Sequence, residues 1–145
     1  MMNRAPLRCF FLLFVAAWLA PAAGFAGEGV DKISPAVAAQ QMKEGKAILV
    51  DVRERGELDA GMAEGAHWYP TSSIQADPAA YQKFIAALPQ DQTVVFYCAV
   101  GGRAGAAAEI ASKDVGRKAA NLGGFRDWKA AGLPVKTPAK SLQPG

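Results

Sequence analysis

The sequence predicts an α/β fold, in which a parallel β-sheet is covered by helices on both faces. Two runs of residues, 47–52 and 93–97, are almost entirely apolar and rich in β-branched or aromatic side chains. Such runs are typical of strands that are buried on both sides. Helix-forming stretches alternate with them along the chain, which is the order that parallel sheets require. The chain shows no internal repeat, low-complexity segment or second domain.

The N-terminal segment has the features of a signal peptide. Residues 1–8 contain two arginines and no acidic residue, and residues 9–20 form an apolar run that is short for a membrane span. Small residues follow, so we expect cleavage after Ala26. Export to the periplasm follows from this, with no stable membrane association after cleavage. An uncleaved membrane anchor is the alternative interpretation.

The rest of the chain suits one domain with a single core. The residues after Val135 are polar and interrupted by proline, so we expect them to form a flexible tail. The predicted organisation is therefore a signal peptide at 1–26, a folded domain at 27–135 and a tail at 136–145.

The first half of the domain begins with a clear helix signal. Ser34 can cap a helix whose first residue is Pro35, and Gly45 ends it. The apolar run 47–52 is the first buried strand. The elements that we predict after it are a short helix at 53–60 that ends at Gly61, a brief strand at 67–69, a helical region that begins at 71–74 and a helix at 78–88.

The second half contains the other buried strand, which ends at Cys98. After a short glycine-containing loop, a helix is predicted from about Arg103 to Lys113. The remaining predicted elements are a short strand at 118–122, a turn at Gly123–Gly124 and a helix at 125–130 that is closed by Gly132.

The charge balance is close to neutral. The whole chain has 16 basic and 13 acidic residues, and the leader contains two of the arginines, so 14 basic residues remain and the net charge falls from +3 to +1. No run of lysines or arginines is present. We therefore predict neither nucleic acid nor an anionic membrane as a partner. His67 is the single histidine and has no second histidine or cysteine nearby, so we expect no metal site.

Cys98 is the residue that most needs an explanation. The chain has two cysteines, and the other, Cys9, lies in the predicted leader. Cys98 ends a buried strand and is followed by a tight loop and a helix N-terminus, which together aim backbone N–H groups and the positive end of a helix dipole at one point. A thiol at that point should ionise more readily than a free cysteine, and the thiolate is the reactive form. Asp51 ends the other buried strand, so both residues should open onto the crevice at the carboxyl ends of the strands.

Plainer interpretations compete with this one. A cysteine at the end of a strand is usually a small buried hydrophobe, and Cys98 can also pair between chains. Arg53, Arg55 and Arg126 are most simply solvated or paired, although they can also make the mouth of a site attractive to anions.

Three separate motifs carry a resemblance to a known family. The first is Leu49-Val50-Asp51-Val52-Arg53-Glu54 with Glu57, Gly61 and Gly65-Ala66. The second is Cys98-Ala99-Val100-Gly101-Gly102-Arg103. The third is Asn121-Leu122-Gly123-Gly124-Phe125 with Trp128 and Ala131-Gly132-Leu133-Pro134-Val135. In this order they resemble the rhodanese-like sulfurtransferases, in the single-domain exported form. The family often has Gly-His-Ile where this chain has Gly61-Met62-Ala63.

The resemblance implies sulfur transfer in two steps, without a cofactor. The Cys98 thiolate takes the sulfane sulfur of a donor such as thiosulfate, and the resulting persulfide passes it to cyanide or a small thiol. The backbone N–H groups of Ala99, Val100, Gly101 and Gly102 can stabilise the anions in this reaction. We expect Gly101 and Gly102 to allow a positive φ. Arg103 either binds the donor or braces the loop through an acid such as Asp51 or Glu54, and Asp51 is interpreted as a loop-supporting acceptor.

Related enzymes define the alternatives. In the sulfurtransferases that this chain resembles, the active-site loop has six residues counted from the cysteine. The segment from Cys98 to Arg103 has the same length. Dual-specificity phosphatases and arsenate reductases have one more residue in this loop, so the length favours sulfur transfer. The expected partners are small sulfur-containing anions and thiols. A phosphatase or arsenate reductase on the same fold is one alternative, and a persulfide carrier for a partner protein is the other.

Overall fold

A computed structural model describes residues 30–145, and five parallel strands with helices on both faces confirm the predicted fold class. The predicted signal peptide and Cys9 lie outside the described residues. Within residues 30–145, no helix is both long enough and apolar enough to span a bilayer.

The elements follow the predicted alternation. The strands are β1 (Asp31–Lys32), β2 (Ala47–Asp51), β3 (Met62–Ala63), β4 (His67–Trp68), β5 (Thr93–Cys98), β6 (Ala119–Gly124) and β7 (Val135–Lys136). The helices are α1 (Pro35–Lys43), α2 (Thr71–Ala76), α3 (Pro78–Ala87), α4 (Gly102–Lys113) and α5 (Phe125–Ala130), together with a 3-10 helix at Arg55–Ala60. The main sheet has the order β1-β6-β5-β2-β4, and β3 pairs with β7 in a separate antiparallel ribbon.

Alternate residues of β2 and β5 fill two cores, because successive side chains of a strand point to opposite faces. Leu49 and Val95 pack with residues of α1 and α5 on one face. Val50 and Phe96 pack with residues of α2, α3 and α4 on the other. This arrangement explains why both strands are almost entirely apolar.

Local capping starts α1 where the sequence predicts it. The Ser34 hydroxyl accepts a hydrogen bond from the Val37 N–H at 3.3 Å, and Pro35 is the first helical residue. In the same way, the Asp77 carboxylate accepts from the Ala80 N–H at 2.9 Å at the start of α3. These acceptors satisfy N–H groups that have no partner inside the helix.

The structure differs from the sequence predictions in the region of Gly123 and Gly124. The predicted turn is instead the end of β6, because these two residues pair with Tyr97 and Cys98 of β5. An irregularity in the register opposite Tyr97 accommodates them, and Gly123 has a φ of 101°. The predicted helix at 53–60 is a 3-10 helix that begins at Arg55.

The C-terminal residues make several contacts with the domain, where the sequence predicts a flexible tail. β7 pairs with β3, and the Arg55 guanidinium donates to the carbonyls of Ala139 and Lys140 at 3.1 Å each. Leu142 packs against the core on the α1 and α5 side. The pattern of apolar residues in the sequence does not reveal these contacts, because most of them involve backbone groups.

One buried ion pair lies at the carboxyl edge of the sheet. The Asp51 carboxylate is fully buried and accepts bonds from Nε and Nη2 of Arg53, the shortest at 2.6 Å. The Tyr97 hydroxyl also donates to Asp51. Burial, and then the negative charge of Asp51, raise the pKa of Tyr97, so this phenol stays neutral and remains a donor. Arg53 uses its other contacts to hold the carbonyls of Glu57 and Gly61, at 3.2 and 2.8 Å.

We expect Arg53→Met to lower the free energy of unfolding by about 3–5 kcal/mol, because it leaves the Asp51 carboxylate buried without a counter-ion. Urea denaturation monitored by tryptophan fluorescence measures this loss. Lys83→Met, at an exposed position of α3, is the control and should change stability by less than about 0.5 kcal/mol. Equal losses in the two variants would contradict the role given to the ion pair.

Candidate active site

Cys98 lies at the carboxyl end of the central strand β5, where the sequence places it. The residue is 2% exposed and borders the core on the α4 side. Its Sγ accepts a hydrogen bond from the Gly101 N–H at 3.0 Å. Among residues 30–145, this is the one hydrogen bond to the sulfur, although the sequence predicts several N–H groups around it. The thiol therefore faces the loop backbone as well as the apolar core.

The loop reaches this geometry through Gly101. Gly101 has a φ of 106° and a ψ of −20°, in the left-handed region that favours glycine, and it is the residue that caps α4. A Cβ there would lie 3.2 Å from the Cα of Gly123. Gly102 differs from the prediction, because it is the first residue of α4, has no positive φ and has free space where a Cβ would lie. Only the first of the two glycines is needed for the turn.

Asn121 holds the Gly101 carbonyl from the neighbouring strand, a role that the sequence motifs do not reveal. Its side-chain N–H donates to the Gly101 carbonyl at 3.0 Å, and its side-chain oxygen accepts from the Gly123 N–H at 2.9 Å. The Gly101 carbonyl also accepts the first bond of α4, from Gly105 at 2.9 Å. Because the Gly101 carbonyl accepts two hydrogen bonds, the peptide bond between Gly101 and Gly102 is held in one orientation at the start of α4. The signal was the asparagine in β6, a residue that strands disfavour.

Arg103 braces the loop, and its partner is Glu57. Nη1 and Nη2 of Arg103 donate to the two carboxylate oxygens of Glu57 at 2.7 and 2.8 Å. The Glu57 carboxylate also accepts from the Glu54 N–H at 2.9 Å. These bonds correct the prediction that Asp51 or Glu54 would hold Arg103. Glu54 instead accepts from the N–H and hydroxyl of Ser72 at the start of α2.

The pair shifts both of its members toward their charged forms. The hydrogen bond from Arg103 lowers the pKa of Glu57 to about 2, against the opposing effect of burial. In return, the Glu57 hydrogen bond raises the pKa of Arg103, and proximity to Cys98 adds a smaller contribution. The bidentate geometry is the strong form of a carboxylate–arginine contact. Arg103 is therefore held beside the thiol as a charge whose counter-ion is already in place.

Asp51 does not contact the loop, contrary to the prediction that it supports the loop directly. Its carboxylate points into the interior and bonds to Arg53 and Tyr97. Its effect on the site is indirect, since Arg53 fixes the backbone of Glu57, and Glu57 fixes Arg103. Asp51 lies at the carboxyl edge of the sheet, as its position at the end of an apolar run predicts. The run does not indicate which residues its side chain contacts.

The remaining loop residues lie between two grooves. Ala99 lines a groove of about 300 Å³ with residues of α5 and the 3-10 helix. Val100 is exposed and lines a second groove, of about 540 Å³, beside Ile33 and Leu122. A methyl group at Gly124 would overlap the Ala99 carbonyl, so the start of α5 lies directly against the loop. The loop is thus open on both sides while the thiol itself is covered.

His67 and Trp68, which form the short strand β4, make packing and hydrogen-bond contacts outside the Cys98 loop. His67 is exposed and packs edge-on against Phe84 with ring centroids 6.1 Å apart. The Trp68 indole donates to the Arg53 carbonyl at 2.8 Å. Within residues 30–145, no group of three or more histidine, cysteine or acidic side chains is placed to hold a metal ion.

A family model identifies most of this domain. Residues 34–131 match the model of the rhodanese-like domain. The sequence is also similar to the human thiosulfate:glutathione sulfurtransferase, with 34% identity over 96 residues that cover 60% of this chain and 83% of the human protein.

Solved structures agree on the fold. A rhodanese-related protein of Thermoplasma volcanium is similar with a TM-score of 0.60 and 27% identity, covering 74% of this chain and 99% of that one. A protein of Rhodopseudomonas palustris named as a possible tyrosine phosphatase is similar with a TM-score of 0.57 and 28% identity, covering 74% and 85%. With the family match spanning both the Cys98 loop and the Glu57 brace, this chain belongs to the rhodanese-like domain family.

Proposed function

We propose that the protein is a sulfurtransferase that moves a sulfane sulfur from thiosulfate, through a persulfide on Cys98, to cyanide or a small thiol. The observation that carries the proposal is the hydrogen bond from the Gly101 N–H to the Cys98 Sγ, inside a loop that is braced by Arg103 and Glu57. Membership of the family and the similarity to a sulfurtransferase support it.

In the first step, an electron pair of the Cys98 thiolate forms a bond to the outer sulfur of thiosulfate. The sulfur–sulfur bond of thiosulfate breaks, and its electron pair leaves with sulfite. Three negative charges are present before and after this step, shared between the enzyme sulfur and the anion. The Gly101 N–H and the N-terminus of α4 provide fixed positive dipoles at the reacting sulfur.

In the second step, the acceptor attacks the terminal sulfur of the persulfide. Cyanide forms a carbon–sulfur bond, the sulfur–sulfur bond to Cys98 breaks, and its electron pair returns to the Cys98 thiolate. The product is thiocyanate, and neither step needs an outside oxidant or reductant. The chemistry uses the cysteine and the loop, so we propose no cofactor.

A second candidate function is persulfide transfer to a partner protein. Val100 favours it, because this apolar side chain is exposed on the loop that carries the reactive cysteine and lines a groove together with Ile33 and Leu122. In that case the protein would accept sulfur from thiosulfate but pass it slowly to cyanide or small thiols. We propose no nucleic-acid partner.

We further propose that the protein is exported and works in the periplasm after cleavage near Ala26, without stable membrane association. The basic and apolar character of residues 1–20 supports this. The intact mass of protein purified from a periplasmic extract tests it, and a mass that includes the leader would contradict it.

Cys98→Ser should abolish thiocyanate formation from thiosulfate and cyanide, because the nucleophile is lost. Intact mass measured after incubation with thiosulfate should show one added sulfur atom on the wild type and none on the variant. Urea denaturation checks that the variant remains folded. Release of phosphate from a phenyl phosphate, without thiocyanate formation, would instead indicate a phosphatase.

The two loop glycines provide a matched pair of substitutions. Gly101→Ala should lower kcat/KM about ten-fold or more, because an alanine at this φ is strained and its Cβ would push the donor N–H away from the thiolate. Gly102→Ala should keep nearly full activity, since the added Cβ would meet no neighbouring atom within 4 Å and the residue is already helical. Steady-state kinetics of both variants decide the matter, and equal losses would argue against the assigned N–H donor.

The Glu57 carboxylate should make loop stability depend on pH. Its pKa is lowered in the folded protein from about 4.5 to about 2, so its contribution to stability is fully present above pH 4.5 and is lost as the pH falls toward 2. The difference in unfolding free energy between wild type and Glu57→Gln should therefore be constant from pH 5 to 7 and should narrow at lower pH. Urea titrations across this range measure it, and a gap that widens in acid would contradict the brace.

A further inference from the structure

The charges nearest to Cys98 leave open how an anionic donor is attracted to the site. In the proposed reaction, a thiolate meets a doubly charged anion. Arg103 is already paired with Glu57 through two hydrogen bonds, and Arg53 is buried and paired with Asp51. A paired arginine has little charge left to attract a second anion. Beyond the loop dipoles, nearby cations without a close counter-ion would contribute most to the attraction of an anion.

The start of α5 lies beside the reactive loop. Cys98 of β5 pairs in register with Gly124 of β6, and α5 begins at the next residue. The Cα of Gly124 packs against the Ala99 carbonyl so closely that a methyl group would not fit. The first turn of α5 is therefore next to the first residue of the loop, at the same edge of the sheet.

Two basic side chains of α5 line the groove that this contact creates. Arg126 and Lys129, three residues apart and so on one side of the helix, face the groove of about 300 Å³ together with Ala99 and Glu57. The Arg126 side chain is 73% exposed. The Lys129 ammonium lies 5.0 Å from the centre of the Phe125 ring, which limits where it can point.

These two cations are weakly compensated, unlike the arginines at the loop. In the part of the chain that the structure describes, Lys129 has no carboxylate within ion-pair distance. Arg126 has one, Asp127, at 3.6 Å, and the other oxygen of that carboxylate accepts from the Gly124 N–H. Because Glu57 is occupied by Arg103, it does not neutralise the groove. A net positive groove thus opens onto Ala99.

We propose that Arg126 and Lys129 form a binding site for the anionic sulfur donor, which holds thiosulfate at the side of the loop before its outer sulfur reaches Cys98. The substrate class is a small, doubly charged sulfur oxyanion. This inference rests on the proposed sulfur transfer for its role, but the binding site itself is a separate claim. The loop dipoles then stabilise the reacting sulfur, and the α5 cations determine how readily the donor arrives.

Steady-state kinetics of the double variant Arg126→Gln/Lys129→Gln test the role in catalysis. We expect the KM for thiosulfate to rise about five-fold, with kcat within about two-fold of wild type, because two exposed charges act on binding and not on the covalent step. Added salt should raise the wild-type KM and should have a weaker effect on the variant.

The control removes the same charge elsewhere. Lys43→Gln/Lys113→Gln changes two exposed lysines. Lys43 is in the last turn of α1, and Lys113 is in the last turn of α4, at the opposite end of that helix from the loop. It should leave the KM for thiosulfate unchanged. An equal rise in both double variants would show a general effect of net charge and would overturn the site.

Direct binding separates this inference from the proposed function. Calorimetric titration of Cys98→Ser with thiosulfate measures affinity without sulfur transfer, and adding Arg126→Gln/Lys129→Gln should weaken it about five-fold. Unchanged affinity would overturn the site even if wild type forms the persulfide. Weakened affinity would support the site even if wild type transferred no sulfur.

Discussion

The buried ion pair between Asp51 and Arg53 is the constraint on which the site depends. A carboxylate that is fully buried at the end of β2 can remain charged only with a cation against it, and Arg53 satisfies it through three hydrogen-bond contacts from its guanidinium. Once Arg53 is fixed, its remaining N–H groups hold the backbone of the segment that carries Glu57. Tyr97, which also donates to Asp51, immediately precedes Cys98. The buried Asp51 carboxylate therefore helps to position both Glu57, through Arg53, and Cys98, through Tyr97.

Positive charge is divided between two places around this site. Arg53 and Arg103 are each paired with a carboxylate, which fixes their side chains and reduces the positive potential that they create in the surroundings. The cations on α5 are exposed and less constrained. The division is physically reasonable, because a charge that holds a loop in one geometry needs a close counter-ion, whereas a charge attracts a solute most strongly when its counter-ion is absent or distant.

Much of this organisation was predictable from the sequence. The two apolar runs identified β2 and β5, and the deduction that Cys98 lies at a strand end, before a helix, needed only the Thr93–Cys98 pattern and the glycines that follow. The partner of Arg103 was not predictable in the same way. Glu54 and Glu57 are both acidic and three residues apart, and only the 3-10 geometry of Arg55–Ala60 decides which one faces the loop. The hydrogen bond from Asn121 to Gly101 was only partly predictable: an asparagine inside a strand is unusual, but its partner lies 20 positions away on a different element.

The burial of Cys98 bears on cross-linking between two copies of the chain. A disulfide needs the two β-carbons to approach within about 4 Å. Cys98 is 2% exposed, so the residues around it hinder such an approach by a second copy of the chain. The burial of Cys98 thus disfavours a disulfide between two copies of the chain, although the cysteine has no partner among residues 30–145.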